Sequence, residues 1–96
     1  MDTLLQEKYG PWALITGATS GIGRELARQL ASSHMHIVAV GRRQARLDEL
    51  ATELKARFGV MTLPVQADLC DPEAIQTIIS ATRQLDIGVV ILNAGA

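Results

Sequence analysis

The segment from Leu14 to Arg24, LITGATSGIGR, constrains the fold of this chain more than any other stretch. The apolar run that ends at Ile15 predicts a short buried strand, and the strand breaks into a loop that contains Gly17, Gly21 and Gly23. An amphipathic run with helical spacing follows, formed by Ile22, Leu26, Ala27 and Leu30. The segment therefore predicts a strand, a glycine-rich turn and a helix in direct succession.

Such a turn presents backbone N–H groups at the start of a helix, where the helix dipole favours anions. Glycine has no Cβ, so a phosphate can approach the backbone closely, and we expect the loop to bind a nucleotide pyrophosphate. The glycine spacing is G-x-x-x-G-x-G, and no lysine follows the last glycine, which argues against the phosphate loop of nucleoside triphosphatases. The alternative is a tight turn that only allows the helix to pack closely on the strand.

Apolar strands and amphipathic helices alternate along the rest of the chain. The predicted strands are Ala13–Thr16, His36–Val40, Val60–Val65 and Val89–Leu92, and the first two predicted helices are Gly21–Ser32 and Gln44–Arg57. Gly59 is expected to cap the second helix. Residues 1–11 are expected to form an arm or a short helix. Pro64 suits an edge strand or a strand exit.

The third helix is predicted to start with Asp71 as N-cap, Pro72 at the first helical position and Glu73 in the first turn. Its apolar positions are Ala74, Ile75, Ile78, Ile79 and Leu85. The order β-α-β-α-β-α-β is typical of an α/β protein with a parallel sheet and crossover helices. Right-handed crossovers give the strand order 3-2-1-4 of a Rossmann-type sheet with helices on both faces, here an incomplete doubly wound domain.

Composition excludes several classes of protein. A chain of 96 residues forms one domain at most, and its net charge of -1 and aromatic content of 3% argue against a nucleic-acid partner. No apolar run approaches the roughly 18 residues of a membrane span, and no metal-ligand spacing is present in the sequence. Cys70, the single cysteine, cannot form an intramolecular disulfide, which favours a reducing compartment, and we expect the cytoplasm.

Four features fall at the predicted carboxyl ends of the strands, the edge at which such sheets bind ligands. They are the glycine loop, Gly41-Arg42-Arg43, Asp68-Leu69 and Asn93-Ala94-Gly95. Arg42 and Arg43 follow the second strand, where a carboxylate would favour NAD and a guanidinium would bind a 2′-phosphate. We therefore expect NADP(H) as the cofactor, with NAD(H) less favoured. The alternative is that both arginines are solvated charges at the start of the second helix.

The pattern T-G-x-x-x-G-I-G that begins at Thr16 resembles the motif of the short-chain dehydrogenase/reductase family, in its branch of compact single-domain enzymes. The resemblance covers the chain after residue 9. It implies that the loop residues contact the cofactor, namely Gly17, Thr19, Ser20, Gly21, Ile22 and Gly23. Ser20 stands where NADP-preferring relatives often carry a basic residue, so one of two expected phosphate contacts is missing.

The resemblance assigns roles at the other strand ends as well. Asp68 matches the family's acidic residue that bonds the adenine amino group, and Leu69 would pack beside adenine. The alternative for Asp68 is a plain turn or cap residue. Asn93, Ala94 and Gly95 match the N-N-A-G signature, with Leu92 in place of its first Asn. Asn93 would hold the strand end through side-chain bonds, while Ala94 and Gly95 would allow the cofactor ribose to approach.

Two further segments, Tyr9–Ala13 and Asp86–Val89, are similar to the branch of 3-oxoacyl-CoA reductases and 17β-hydroxysteroid dehydrogenases. In that family a Ser and a Y-x-x-x-K pair move the proton, but no Y-x-x-x-K is present here. We expect residues 1–96 to be the dinucleotide-binding N-terminal half of an oxidoreductase that interconverts a carbonyl and an alcohol, inactive and self-associating when isolated, and homo-oligomeric within a full-length enzyme. One alternative is a non-enzymatic NAD(P)-binding or redox-sensing module. The other, an S-adenosylmethionine enzyme, is disfavoured by Arg42 and Arg43.

Overall fold

The computed structural model describes residues 11–93 as a four-stranded parallel sheet with three helices. The elements in chain order are β1 (Trp12–Thr16), α1 (Gly21–Ser32), β2 (His36–Gly41), α2 (Gln44–Phe58), β3 (Thr62–Gln66), α3 (Ala74–Thr82) and β4 (Ile87–Ile91). The strand order is β3-β2-β1-β4. The predicted α/β class and the order 3-2-1-4 are therefore confirmed. The predicted arm at residues 1–11 lies almost entirely outside the described residues.

The two central strands are buried on both faces, as their continuous apolar sequences predict. Ala13 pairs with Ile37 and Ile15 pairs with Ala39, and these side chains form one core with α1 and α2. The helices contribute Ala27, Ala31, Leu47, Leu50 and Leu54. Leu14 lies on the opposite face, where the core is smaller and includes Val38, Val40, Val65 and Ile78 of α3. Two helices thus cover one face of the sheet, and one helix covers the other.

Strand boundaries differ from the predictions by one to two residues because hydrogen bonding, not hydrophobicity, defines a strand. Thr62, paired with Ile37, begins β3, whereas the buried Val60 precedes the strand and only packs in the core. Pro64 lies within β3 at the edge of the sheet, as its missing N–H group predicts. The predicted cap at Gly59 is confirmed, since its φ is 71° and its N–H donates to the Lys55 carbonyl at 2.9 Å.

The predicted start of the third helix is wrong by two residues. The N-cap is Glu73, and α3 begins at Ala74. The Asp71 carboxylate accepts the N–H of Glu73 at 2.9 Å, and the Asp71 carbonyl accepts the N–H of Ala74 at 3.0 Å. Because the aspartate side chain stabilises this turn, the helix is delayed. The helix also ends at Thr82, so Leu85 packs against the smaller core from the following turn.

The helices α1 and α2 are joined by a cluster of ion pairs around Glu53 of α2. Its carboxylate accepts hydrogen bonds from Arg28 Nε at 2.7 Å, Arg24 NH2 at 3.0 Å and Arg57 NH1 at 3.1 Å. The bond from Arg28 is the main reason that the pKa of Glu53 falls from its ordinary value of 4.5 to about 2. The carboxylate therefore stays charged in the folded protein at pH values where it would be protonated in the unfolded chain.

We predict that Glu53→Gln lowers the free energy of unfolding by about 1 kcal/mol at neutral pH, since the cluster is partly exposed to solvent. The folded-state pKa lies below the unfolded one, so the stabilisation is present above pH 4.5 and is lost as the pH falls through about 2. Urea denaturation across this range tests the prediction. The control is Glu49→Gln, an exposed position on the same helix. A constant difference between wild type and E53Q at all pH values would contradict it.

Candidate dinucleotide-binding site

The carboxyl ends of all four strands meet at one edge of the sheet. A cavity of about 310 Å³ opens there, lined by Gly17, Thr19, Val40, Gly41, Arg42, Ala67, Asp68, Leu69, Cys70 and Asn93. The cavity lies beside β1, from which the chain winds toward β2 on one side and β4 lies on the other. This reversal of winding is the position at which open α/β sheets bind their ligands.

The glycine loop turns sharply between β1 and α1. Gly17 has a φ of 61°, and its carbonyl accepts hydrogen bonds from Ser20 N at 3.1 Å and Ser20 Oγ at 2.8 Å. Ser20 is the N-cap residue of α1, but its side chain makes no capping bond to the helix. The first N–H groups of α1 therefore receive no cap from the Ser20 side chain, an arrangement that also occurs at anion sites of helix starts.

The three glycines of the loop have different surroundings. Gly17 has the positive φ that glycine adopts without strain. A Cβ on Gly23 would clash with the Gly17 carbonyl oxygen and lie 2.7 Å from Asn93 Nδ2. A Cβ on Gly21 would meet nothing within 4 Å. Gly17 and Gly23 thus serve the turn and the close helix packing, whereas Gly21 borders open space in front of the loop.

Asn93 joins the end of β4 to the glycine loop. Its Nδ2 donates to the Gly17 carbonyl at 3.1 Å and to Ser20 Oγ at 3.0 Å. Its backbone N–H donates to Oγ1 of the buried Thr16 at 2.9 Å, and this hydroxyl donates to the Asn93 carbonyl at 3.2 Å. The side-chain bonds predicted for Asn93 are therefore present. The neighbouring predictions for Ala94 and Gly95 lie outside the described residues.

Arginines follow the buried end of β2. Arg42 lines the main cavity, and a second cavity of about 220 Å³ beside it is lined by Thr19, Arg42, Arg43 and Arg46. Arg43 is the N-cap residue of α2. A Cβ on Gly41 would lie 3.2 Å from Leu47 Cδ2 and 3.5 Å from Thr19 Oγ1, so the backbone is tightly enclosed at this point.

Arg46 lines the second cavity but is not among the residues predicted from the sequence. It lies in the first turn of α2, where its N–H donates to the Arg43 carbonyl at 3.1 Å. Its spacing in the sequence could have predicted this position. Arg46 follows Arg43 by three residues and Arg42 by four, and residues with this spacing lie on one side of a helix start. Among residues 11–93, none forms an ion pair with Arg42, Arg43 or Arg46.

Asp68 and Leu69 lie on the far rim of the main cavity, after β3. Asp68 Oδ1 accepts the N–H of Cys70 at 2.9 Å, and the Asp68 carbonyl accepts the N–H of Asp71 at 2.8 Å. The aspartate therefore supports the local turn, as its alternative interpretation states, while it also faces the cavity. Leu69 is half exposed. Ile22 projects to solvent from the start of α1, outside the cavity lining.

This fold and this edge define a dinucleotide-binding α/β domain of the Rossmann type. A family model with the description "short chain dehydrogenase" matches residues 11–96. The chain belongs to the short chain dehydrogenase family. Within the part of the chain that the structure describes, no three or more His, Cys, Asp or Glu residues are arranged to hold a metal ion. None of the helices in that part has the length and apolar character needed to cross a membrane.

Two curated proteins that are named for different enzyme activities are similar to this chain in sequence. It is 45% identical over 84 residues to the 7beta-hydroxysteroid dehydrogenase of Collinsella aerofaciens, covering 88% of this chain and 32% of that protein. It is 41% identical over 91 residues to the very-long-chain 3-oxoacyl-CoA reductase of Neurospora crassa, covering 92% of this chain and 27% of that protein. The chain thus spans only 27–32% of the length of these relatives.

Solved structures agree with the fold. A structure described in a study of 7beta-hydroxysteroid dehydrogenase stereoselectivity superposes with a TM-score of 0.87 at 44% identity, covering 90% of this chain and 33% of the other. The L-sorbose reductase of Gluconobacter frateurii, solved with NADPH and L-sorbose, has a TM-score of 0.80 at 41% identity, covering 92% of this chain and 34% of the other.

We predict that Gly23→Ala lowers the free energy of unfolding, whereas Gly21→Ala does not. Gly23→Ala should cost about 1–3 kcal/mol of the free energy of unfolding, because its Cβ meets backbone that cannot move away. Gly21→Ala should be neutral or slightly stabilising, because its Cβ enters open space and alanine favours the helix. Chemical denaturation of both variants checks the prediction. Equal destabilisation of both would show that the two positions are equally crowded.

Proposed function

We propose that this chain is the dinucleotide-binding portion of an NADP(H)-dependent oxidoreductase that interconverts a carbonyl and an alcohol. The observation that carries the proposal is the group of arginines beside the main cavity, at the end of β2. A ribose 2′-phosphate needs cations at this point, whereas a free ribose hydroxyl pair is best bound by a carboxylate. Gly41 occupies the strand end instead, and its surroundings leave little space for an acidic side chain.

The glycine loop would hold the pyrophosphate. Ser20 provides no side-chain cap for the first N–H groups of α1, and a Cβ on Gly21 would meet nothing within 4 Å, so an anion could approach the start of this helix, where the dipole favours it. Asn93 keeps the loop in place through the Gly17 carbonyl, so the site does not have to form when the ligand arrives. A bound nicotinamide dinucleotide would supply the hydride. The residues of this chain would bind and orient that dinucleotide.

The rest of the main cavity suits an adenosine. Leu69 provides an apolar surface beside it, and the Asp68 carboxylate provides acceptors for an amino group. Arg42 lies between this rim and the second cavity, where a phosphate on the ribose would be reached by guanidinium groups. Arg43 follows at the start of α2. The order of these groups around the edge matches the order of adenine, ribose phosphate and pyrophosphate.

The comparisons support a role in cofactor binding and not in substrate choice. The matched proteins are named for a 7beta-hydroxysteroid, a very-long-chain 3-oxoacyl-CoA and L-sorbose, and yet each is 41–45% identical to this segment. A segment shared by enzymes with such different substrates is expected to serve a role common to all of them, namely cofactor binding. NADPH is present in two of the similar structures, the L-sorbose reductase and a short-chain dehydrogenase of Sphingobium yanoikuyae.

We predict that NADPH binds more tightly than NADH, and that Arg42→Ala removes most of this preference. A charge-assisted bond to a phosphate contributes about 1.5–3 kcal/mol, which corresponds to a loss of roughly tenfold to a hundredfold in NADPH affinity. NADH affinity should change little. Isothermal titration calorimetry with both nucleotides measures the effect, and Arg83→Ala, an exposed arginine after α3, is the control. Equal affinities of the wild type for the two nucleotides would refute the proposed cofactor.

We propose that the 96-residue chain alone does not turn over substrate. No Y-x-x-x-K occurs in its sequence, so general acid–base assistance of about a hundredfold to ten-thousandfold is not supplied by that pair. The purified chain, mixed with NADPH and a panel of ketones, should leave the absorbance of the reduced nicotinamide at the background rate. Sustained turnover that survives repeated purification would contradict this expectation and would require another proton donor.

We also propose that the isolated chain self-associates through β4. The segment Ile87–Leu92 contains no charge and no proline, whereas Pro64 interrupts the opposite edge strand. On the α3 face, Val90 is 58% exposed and Leu92 is 79% exposed, beside Ile75 and a groove of about 440 Å³. Uncharged edge strands with apolar surface pair readily with other chains. Within a full-length enzyme, we propose a homo-oligomer.

Light scattering at micromolar concentration tests the self-association. We predict a mass above that of the monomer, and we predict that Val90→Lys shifts it toward the monomer, because a charge on an edge strand opposes pairing. Thr77→Lys, an exposed position on α3 away from the strand, is the control. A monomeric wild type with a cooperative melt would contradict the proposal and would favour an independent dinucleotide-binding or redox-sensing module.

The free thiol of Cys70 is the basis for a proposed cellular location. Cys70 is exposed and free, which suits a compartment that keeps thiols reduced. We therefore propose the cytoplasm.

A further inference from the structure

We infer that Arg46 is a specificity-determining residue of this chain, which binds a phosphomonoester dianion on the adenosine ribose together with Arg42 and Arg43. The inference rests on the proposed function and extends it to a residue in the first turn of α2. The observation behind it is the second cavity, which has a volume of about 220 Å³ and is lined only by Thr19, Arg42, Arg43 and Arg46 among the described residues.

The position of Arg46 is fixed by the residue that follows it. Leu47 is completely buried, and its Cδ2 lies 3.2 Å from the point where a Cβ on Gly41 would be. The N–H groups of Arg46 and Leu47 both donate to the Arg43 carbonyl at 3.1 Å. The first turn of α2 is therefore anchored on the end of β2, and it cannot rotate Arg46 away from the cavity without exposing Leu47.

The charges around the cavity are unbalanced. Arg42, Arg43 and Arg46 have no ion-pair partner within residues 11–93, and the first turn of α2 contains no acidic residue. Asp48 accepts a hydrogen bond from Gln44 Nε2 at 2.9 Å, on the same helix. Three guanidinium groups at the positive end of a helix dipole repel one another, and a dianion relieves this repulsion.

The glycine loop does not provide a cation on its side of the cavity. Ser20 Oγ donates to the Gly17 carbonyl at 2.8 Å and accepts from Asn93 Nδ2 at 3.0 Å, so its hydroxyl is engaged within the loop. The loop contributes Thr19, a neutral hydroxyl, to the second cavity. A phosphate bound there would therefore receive its additional positive charge from Arg46 of α2. Guanidinium groups suit this task because each presents several donors in a plane.

Calorimetric titration of the 96-residue chain with 2′,5′-ADP and 5′-AMP tests the inference, since the two ligands differ only in the ribose phosphate. We expect Arg46→Gln to weaken 2′,5′-ADP binding by about tenfold and to leave 5′-AMP binding unchanged. Arg46→Lys should restore part of the affinity, because it returns the charge without the planar donors. Arg83→Gln is the matched control on an exposed arginine distant from the cavity.

The outcomes separate this inference from the function on which it rests. If Arg42→Gln weakens 2′,5′-ADP binding but Arg46→Gln does not, the role of Arg46 is overturned and the proposed cofactor stands. If Arg46→Gln weakens both ligands equally, the residue supports the local structure and the inference is again overturned. If the wild type binds 2′,5′-ADP and 5′-AMP equally, the preference for NADP(H) itself is wrong. Circular dichroism of each variant confirms that α2 is intact.

Discussion

The carbonyl oxygen of Gly17 is the group on which the geometry of the site depends. It accepts hydrogen bonds from the Ser20 N–H, the Ser20 hydroxyl and Asn93 Nδ2, and the backbone of Gly23 packs directly against it. One oxygen thus joins the end of β1, the start of α1 and the end of β4. β1 and β4 are neighbouring strands at the reversal in winding, and both Gly17 and Asn93 line the cavity that opens there.

Asn93 connects parts of the chain that are far apart in sequence. Its bonds to Thr16, Gly17 and Ser20 span more than 70 residues. A β-strand at a sheet edge has a neighbour on one side only, so bonds at its end matter for its register as well as for the loop. The amide is suited to this position because its NH₂ group donates to two acceptors at once. An ionised aspartate could not replace it, because its oxygens cannot donate a hydrogen bond to the Gly17 carbonyl.

The sequence predicted the fold because hydrophobic periodicity and loop chemistry agree along most of the chain. The buried strand residues Ile15, Ile37 and Ala39, for example, lie in continuous apolar runs. The predicted helix start was wrong at Asp71, whose side chain stabilises a turn before the helix. The sequence does not distinguish an aspartate that caps a helix from one that stabilises such a turn. It missed Arg46 because the orientation of α2 depends on the contact between Leu47 and Gly41, which periodicity does not specify. The crowding at Gly23 could not be predicted either, because it involves Asn93, which is distant in sequence.

Six of the seven arginines of this chain form two groups, one bound to a carboxylate and one without an ion pair among residues 11–93. Glu53 binds Arg24, Arg28 and Arg57, which fastens α1 to α2 on the outer surface of the helices. At the start of α2, Arg42, Arg43 and Arg46 surround a cavity and form no ion pair with any of residues 11–93. Arginine in the first group is neutralised within the fold, and its contribution is to stability. Under the proposed function, the arginines of the second group would be neutralised by a bound phosphate, so arginine would serve structure at one end of α2 and recognition at the other.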